Sequence, residues 1–86
     1  MKSVSIYGIN HISEVLFIVL KELGLELGYA VDDNKKGEEW FGYTIVNMDE
    51  FLAFGAGILI HASFDKNEID SFCIEQEDVK VVALRE

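Results

Sequence analysis

The chain has 86 residues, half of them hydrophobic, with a single cysteine and no proline. That is one small domain near the lower limit of what a single core supports, and a domain this apolar often buries surface against a partner. Sixteen acidic residues against seven basic ones give a formal charge of −9, a field that repels nucleic acid and anionic membrane surfaces and sets both aside as partners.

The longest apolar run, Val15 to Leu20, is far short of the ~20 residues needed to cross a bilayer. Lys2 is not followed by a signal-peptide apolar region, because Gly8, Asn10 and His11 interrupt it. Cys73 has no disulfide partner and sits in an apolar helical stripe, which fits an inert thiol in a reducing compartment. The expected location is cytoplasmic.

Ser3 to Tyr7, rich in Val, Ile and Tyr and stopped by Gly8, predicts a central parallel strand. A helix follows from His11 or Ile12 to about Leu23, with apolar residues at 12, 15, 16, 19, 20 and 23 and Gly24 as its stop. Phe17 and Ile18 lie off that stripe, so the apolar arc is wide enough to serve both the sheet and another subunit or domain. Leu27 to Val31 is the second strand, closing at Asp32-Asp33-Asn34.

Lys35 to Glu39 reads as a surface loop, and Trp40-Phe41-Gly42-Tyr43 leads into a third strand at Thr44 to Val46. Asn47, with Glu50 three positions on, caps a short helix through Phe54. Ile58 to His61 is a fourth strand, Asp65 to about Gln76 a further helix with a solvated acidic face, and Val79 to Leu84 the last strand. The expected fold is α/β: a single small Rossmann-like three-layer domain, with a parallel sheet of about five strands in the order 3-2-1-4-5 and helices on both faces.

Strand, tight turn, helix and acid-ended strand form the layout of a mononucleotide-binding half. The fingerprint Gly-x-Gly-x-x-Gly is here Gly8-x-Asn10-x-x-Ser13. Gly8, Ile9, Asn10 and His11 are the candidate phosphate cradle. Asn10 either adopts left-handed angles or caps the helix, and its side chain occupies space a phosphate needs. Asp32, a little over twenty residues on, suits ribose hydroxyls, while Asp33 suits the turn. His61 and Ser63 end the fourth strand at the position where open α/β sheets bind ligands, and with His11 they supply two histidines to one crevice. A metal site is disfavoured for want of a third ligand. No nucleophile elbow, P-loop lysine or carboxylate pair points to catalysis, so the chain is not expected to be an enzyme by itself.

Over nearly its whole length the chain resembles the small Rossmann-like N-terminal domains of bacterial sugar acyltransferases of the bacillosamine and sialic-acid pathways, and related modules of polysaccharide-biosynthesis proteins. The matching features are Tyr7-Gly8, Asp32-Asp33-Asn34-Lys35 with Gly37, Phe41 to Val46, Met48 to Leu52, and Ile58 to Phe64. In that family the domain binds a nucleotide-sugar while a separate β-helix binds acyl-CoA and carries the catalysis. The resemblance therefore implies a non-catalytic nucleotide-sugar-binding or regulatory domain, with a UDP-sugar as the favoured ligand. Asn10 and Ser13 replace the family's glycines, and His11 lies one position before the family's loop histidine, so no role passes to it. The alternative is an interaction or oligomerisation module with a vestigial ligand site, serving a transferase or methyltransferase. It would dock another domain or subunit through helix 12–23 and the Trp40 region. NAD binding is a third alternative, weakened by the missing second glycine.

Overall fold

The computed structural model describes residues 4–54, 57–62 and 79–83. Strand β1 (Val4–Tyr7) is followed by α1 (His11–Glu22), β2 (Leu27–Val31), a hairpin of β3 (Glu39–Trp40) and β4 (Tyr43–Thr44), α2 (Met48–Phe54), β5 (Gly57–His61) and β6 (Val79–Ala83). The main sheet is parallel and four-stranded, in the order β2-β1-β5-β6. The helix expected from Asp65 to Gln76, with Cys73, lies outside the described residues.

The five-strand order 3-2-1-4-5 is corrected at Thr44 to Val46, which does not join the parallel sheet as a strand. Tyr43–Thr44 instead pairs antiparallel with Glu39–Trp40, and Val46 alone makes a parallel bridge to Val31. The hydrogen bonds show why. The Ile45 amide donates to the Glu38 carbonyl and the Ile45 carbonyl accepts from Gly37, while the amide and carbonyl of Val46 bond to Ala30 and Asp32, so the segment extends the hairpin on one side and reaches β2 through Val46 alone. The hairpin's two central residues, Phe41 at φ 49° and Gly42 at φ 86°, give a turn of the type whose twist matches its flanking strands. Phe41 is an uncommon occupant of that backbone region. Its ring lies flat on Phe17 at 4.6 Å between centroids.

Strand alternation sends neighbouring residues to opposite faces. Ile6 and Ala30 join Leu20 of α1, Trp40 and Ile45 in one core cluster, while Val31 and Leu59 join Phe51 of α2 and Val79 in the other. The two helices thus lie on opposite faces of the sheet. Helix α1 ends in a Schellman arrangement, with the Leu25 amide donating to the Leu20 carbonyl and Gly24 to Lys21.

The inward face of α1 is rotated from the expected stripe. Ser13 and Leu20 are buried and Ile12, Leu16 and Phe17 half-buried, whereas Val15, Val19 and Leu23 are exposed. The small Ser13 faces the sheet because the helix start is tied down there, as the site geometry makes plain. No helix among the described residues is long and apolar enough to cross a membrane.

Candidate functional site

Gly8 ends β1 with φ 93°, a backbone conformation that L side chains rarely adopt. Its amide donates to the Val31 carbonyl at 2.8 Å, joining the loop to the end of β2. A Cβ added at Gly8 would meet nothing closer than 3.8 Å, so space is not what demands glycine here. Gly8→Ala should therefore cost about 1–2 kcal/mol through backbone conformation alone, read as a lower urea midpoint with an unchanged slope.

Asn10 is the N-cap of α1, in extended backbone at φ −156°, so the capping alternative is the one adopted and the left-handed one is not. Its Oδ1 accepts from the Ile12 amide at 2.8 Å and the Ser13 amide at 3.2 Å. Its Nδ2 donates to the carbonyl of Ala62 at 2.9 Å, fastening the start of α1 to the end of β5. Ser13, fully buried, closes the capping box: its Oγ accepts from the Asn10 amide at 2.8 Å and donates to the Asn10 carbonyl at 2.7 Å.

Asp32 turns toward the same loop. One carboxylate oxygen accepts from the Ile9 amide at 2.9 Å, and the other from the Asn34 amide at 2.9 Å. Lys35 completes the closure by donating from Nζ to the Ile9 carbonyl at 3.0 Å. Of the six amides from Ile9 to Glu14, five (Ile9, Asn10, Ile12, Ser13 and Glu14) donate to acceptors within the chain. Phosphate binding at a helix N-terminus depends on such amides pointing free toward the anion. Here the chain's own carboxylate, amide and hydroxyl oxygens take their place.

Beside the loop lies a cavity of about 400 Å³. Ile9, Trp40 and Ile45 give it an apolar side, while Glu14, Glu38 and Glu39 bring three carboxylates and Lys35 the balancing cation. His11 also lines it, with a fully exposed side chain whose Nδ1 is 3.6 Å from Glu14. Such a lining repels a diphosphate more than it attracts one.

Of the expected site residues, Gly8, Ile9, Asn10 and Asp32 do converge on one loop, though each is bonded within the chain: Ile9 to Asp32, Gly8 to Val31, and Asn10 to Ile12, Ser13 and Ala62. Asp33 points away and accepts from the Met48 amide at 2.7 Å, at the start of α2. The Asn47 and Glu50 capping box is present, with bonds of 2.7 and 3.2 Å. His61 is buried and stacked on Tyr7 at 5.4 Å, and it does not line the cavity that His11 lines. Ser63 lies outside the described residues. Trp40 is not a surface docking residue: it is buried, with its ring edge-on to Phe17 at 5.3 Å. Sequence reasoning weighed Lys35 as a phosphate or base contact but favoured a solvated loop, and it missed Glu38 and Glu39 as lining residues, because a charged run with a glycine is the usual signature of such a loop. Among the described residues no group of three or more His, Cys, Asp or Glu side chains is placed to hold a metal ion. Compared with protein-family models, curated proteins and solved structures, the chain matches none.

Proposed function

We propose that this chain is a protein-interaction or oligomerisation module, built on a fold of the nucleotide-binding type whose phosphate loop is filled by its own side chains. The observation that carries this reading is the internal use of the Ile9 to Glu14 amides, with Asp32 spent on the Ile9 amide instead of a ribose. The exposed apolar residues of α1, Val15, Ile18, Val19 and Leu23, also support it. The role is that of a non-catalytic companion to an enzyme, which the sequence resemblance implies to be of the sugar-modifying kind.

The roughly 400 Å³ cavity favours a second reading, a nucleotide-sugar ligand. Calorimetric titration with UDP-, GDP- and CMP-sugars and with NAD decides between the two. The expected result is no heat and no rise in melting temperature at millimolar ligand. Saturable binding of any of them would displace the interaction reading in favour of the second.

A further inference from the structure

Among the described residues, the face of the sheet that carries α1 is covered only over β2 and β1. In-register pairing puts Val4, Ile58 and Lys80 in one row of that face and Ile6, Ile60 and Val82 in the next. The β1 end of these rows is packed, with Ile6 fully buried. Toward β6 the rows open: Ile58 and Ile60 are half-buried, Val82 is 37% exposed and Lys80 is exposed. On the opposite face the neighbours Leu59 and Val79 are buried. The β5–β6 half is thus a partly exposed apolar floor with one lysine on it.

Helix α1 forms the wall of this floor. At about 100° per residue, Phe17 and Val19 lie on nearly opposite flanks of the helix. Phe17 faces the hairpin beyond β2, through its contacts with Trp40, Phe41 and Tyr43. Val19 and Leu23 therefore face the other way, over the β5–β6 floor, while Val15 and Ile18 top the helix. These four side chains are 46–67% exposed.

Resting on the interaction reading above, we propose that the occupant of this face is a second copy of the chain, related by a two-fold axis beside Val19. In that arrangement the two α1 helices run antiparallel side by side between two facing sheets. Val19 then meets its own equivalent, and Val15 of each copy meets Leu23 of the other, because position 19 lies midway between 15 and 23. A two-fold interface requires this kind of self-complementarity. The top of each helix, Val15 and Ile18, rests on the other copy's floor of Ile58, Ile60 and Val82. Lys80 on that floor is brought toward Glu22, the acid beside Val15 and Ile18 on the top of α1.

The area is sufficient. The exposed apolar surface of the wall and floor is on the order of 500 Å² per copy. Two copies bury about 1,000 Å² of it, which at the ~60% apolar content of interfaces corresponds to a standard-sized contact of roughly 1,600 Å². The formal charge of −9 on each copy opposes association, so the dimer tightens as salt screens that repulsion.

Light scattering coupled to size exclusion tests the proposal. The expected mass is about 19 kDa, twice the 9.7 kDa of the chain, at roughly 100 μM, with tighter association at 0.5 M than at 0.05 M salt. Val19→Glu is expected to give a monomer with an unchanged circular-dichroism spectrum. Should that variant not fold, Val19→Cys in a Cys73→Ser background supplies the second arm: oxidation is expected to join two chains through position 19. A wild-type monomer up to about 500 μM at both salt concentrations overturns the proposal. So does a dimer that Val19→Glu leaves intact and Val19→Cys does not cross-link. A monomer that also ignores nucleotides leaves the interaction reading standing with a different partner, whereas nucleotide binding removes that reading itself.

Discussion

Phe51→Ala is expected to lower the unfolding free energy by about 3–5 kcal/mol, the largest effect of any single truncation proposed for this chain. Phe51 has no exposed surface. It is the helix side chain at the centre of the cluster formed by Val31, Leu59 and Val79, with Tyr29 packed edge-on at 5.9 Å. Helix α2 has only seven residues, too few to hold together without tertiary packing. Removing its anchor therefore creates a cavity and undocks the helix together. A domain of this size has a total stability of only about 4–13 kcal/mol, so the variant should melt roughly 15 °C or more below the parent. Phe41→Ala is the control. Its ring is 53% exposed, and losing the stack on Phe17 should cost under about 1.5 kcal/mol. Equal effects from the two variants, measured by urea denaturation, would show that α2 is not held as described.

Asn10→Ala should cost about 2–3 kcal/mol, a large figure for a residue with an exposed side. The loss of an N-cap accounts for about 1–2 kcal/mol and the bond to the Ala62 carbonyl for about 1 kcal/mol more. Asn10→Asp separates the two roles. A carboxylate keeps the oxygen that caps Ile12 and Ser13 and gains from the helix dipole, but it has no hydrogen to offer Ala62. The aspartate variant should fall between the parent and the alanine variant. If Asp and Ala prove equally damaging, the fastening to β5 dominates and the cap contributes little.

How much of this could be seen in the sequence differs from residue to residue. The strands at Leu27–Val31 and Gly57–His61 were legible because strand residues and turn residues alternate locally. The Asn47 cap was legible for a similar reason, since both its bonds are to Glu50, three positions on. Asp32 shows where such reasoning stops. Its position after β2 suits a ribose, yet its oxygen is taken by the Ile9 amide 23 residues away, and nothing local announces that bond. The Asn10 bond to Ala62 spans 52 residues and is hidden in the same way.

The phase of α1 failed for a related cause. Counting apolar residues favours a stripe through 15, 19 and 23, but the capping box sets the rotation and turns Ser13 to the sheet. Thr44 to Val46 has strand composition, but Thr44 pairs in the hairpin, Ile45 bonds to the 37–38 arm, and only Val46 bonds to β2. The candidate site was thus visible in its location and not in its occupancy.

The single bridge between Val46 and Val31 has a consequence for the edge of the sheet. A full third strand would have offered its own outer edge, a row of open amides and carbonyls able to template addition of a further chain. Here the polypeptide touches the sheet at one residue and turns at once into α2, capped by Asn47. The amide of Asp32 and the carbonyl of Ala30 are both occupied by Val46 in passing. At the carboxyl end of β2 the sheet is brought to a stop without offering a new strand to continue it.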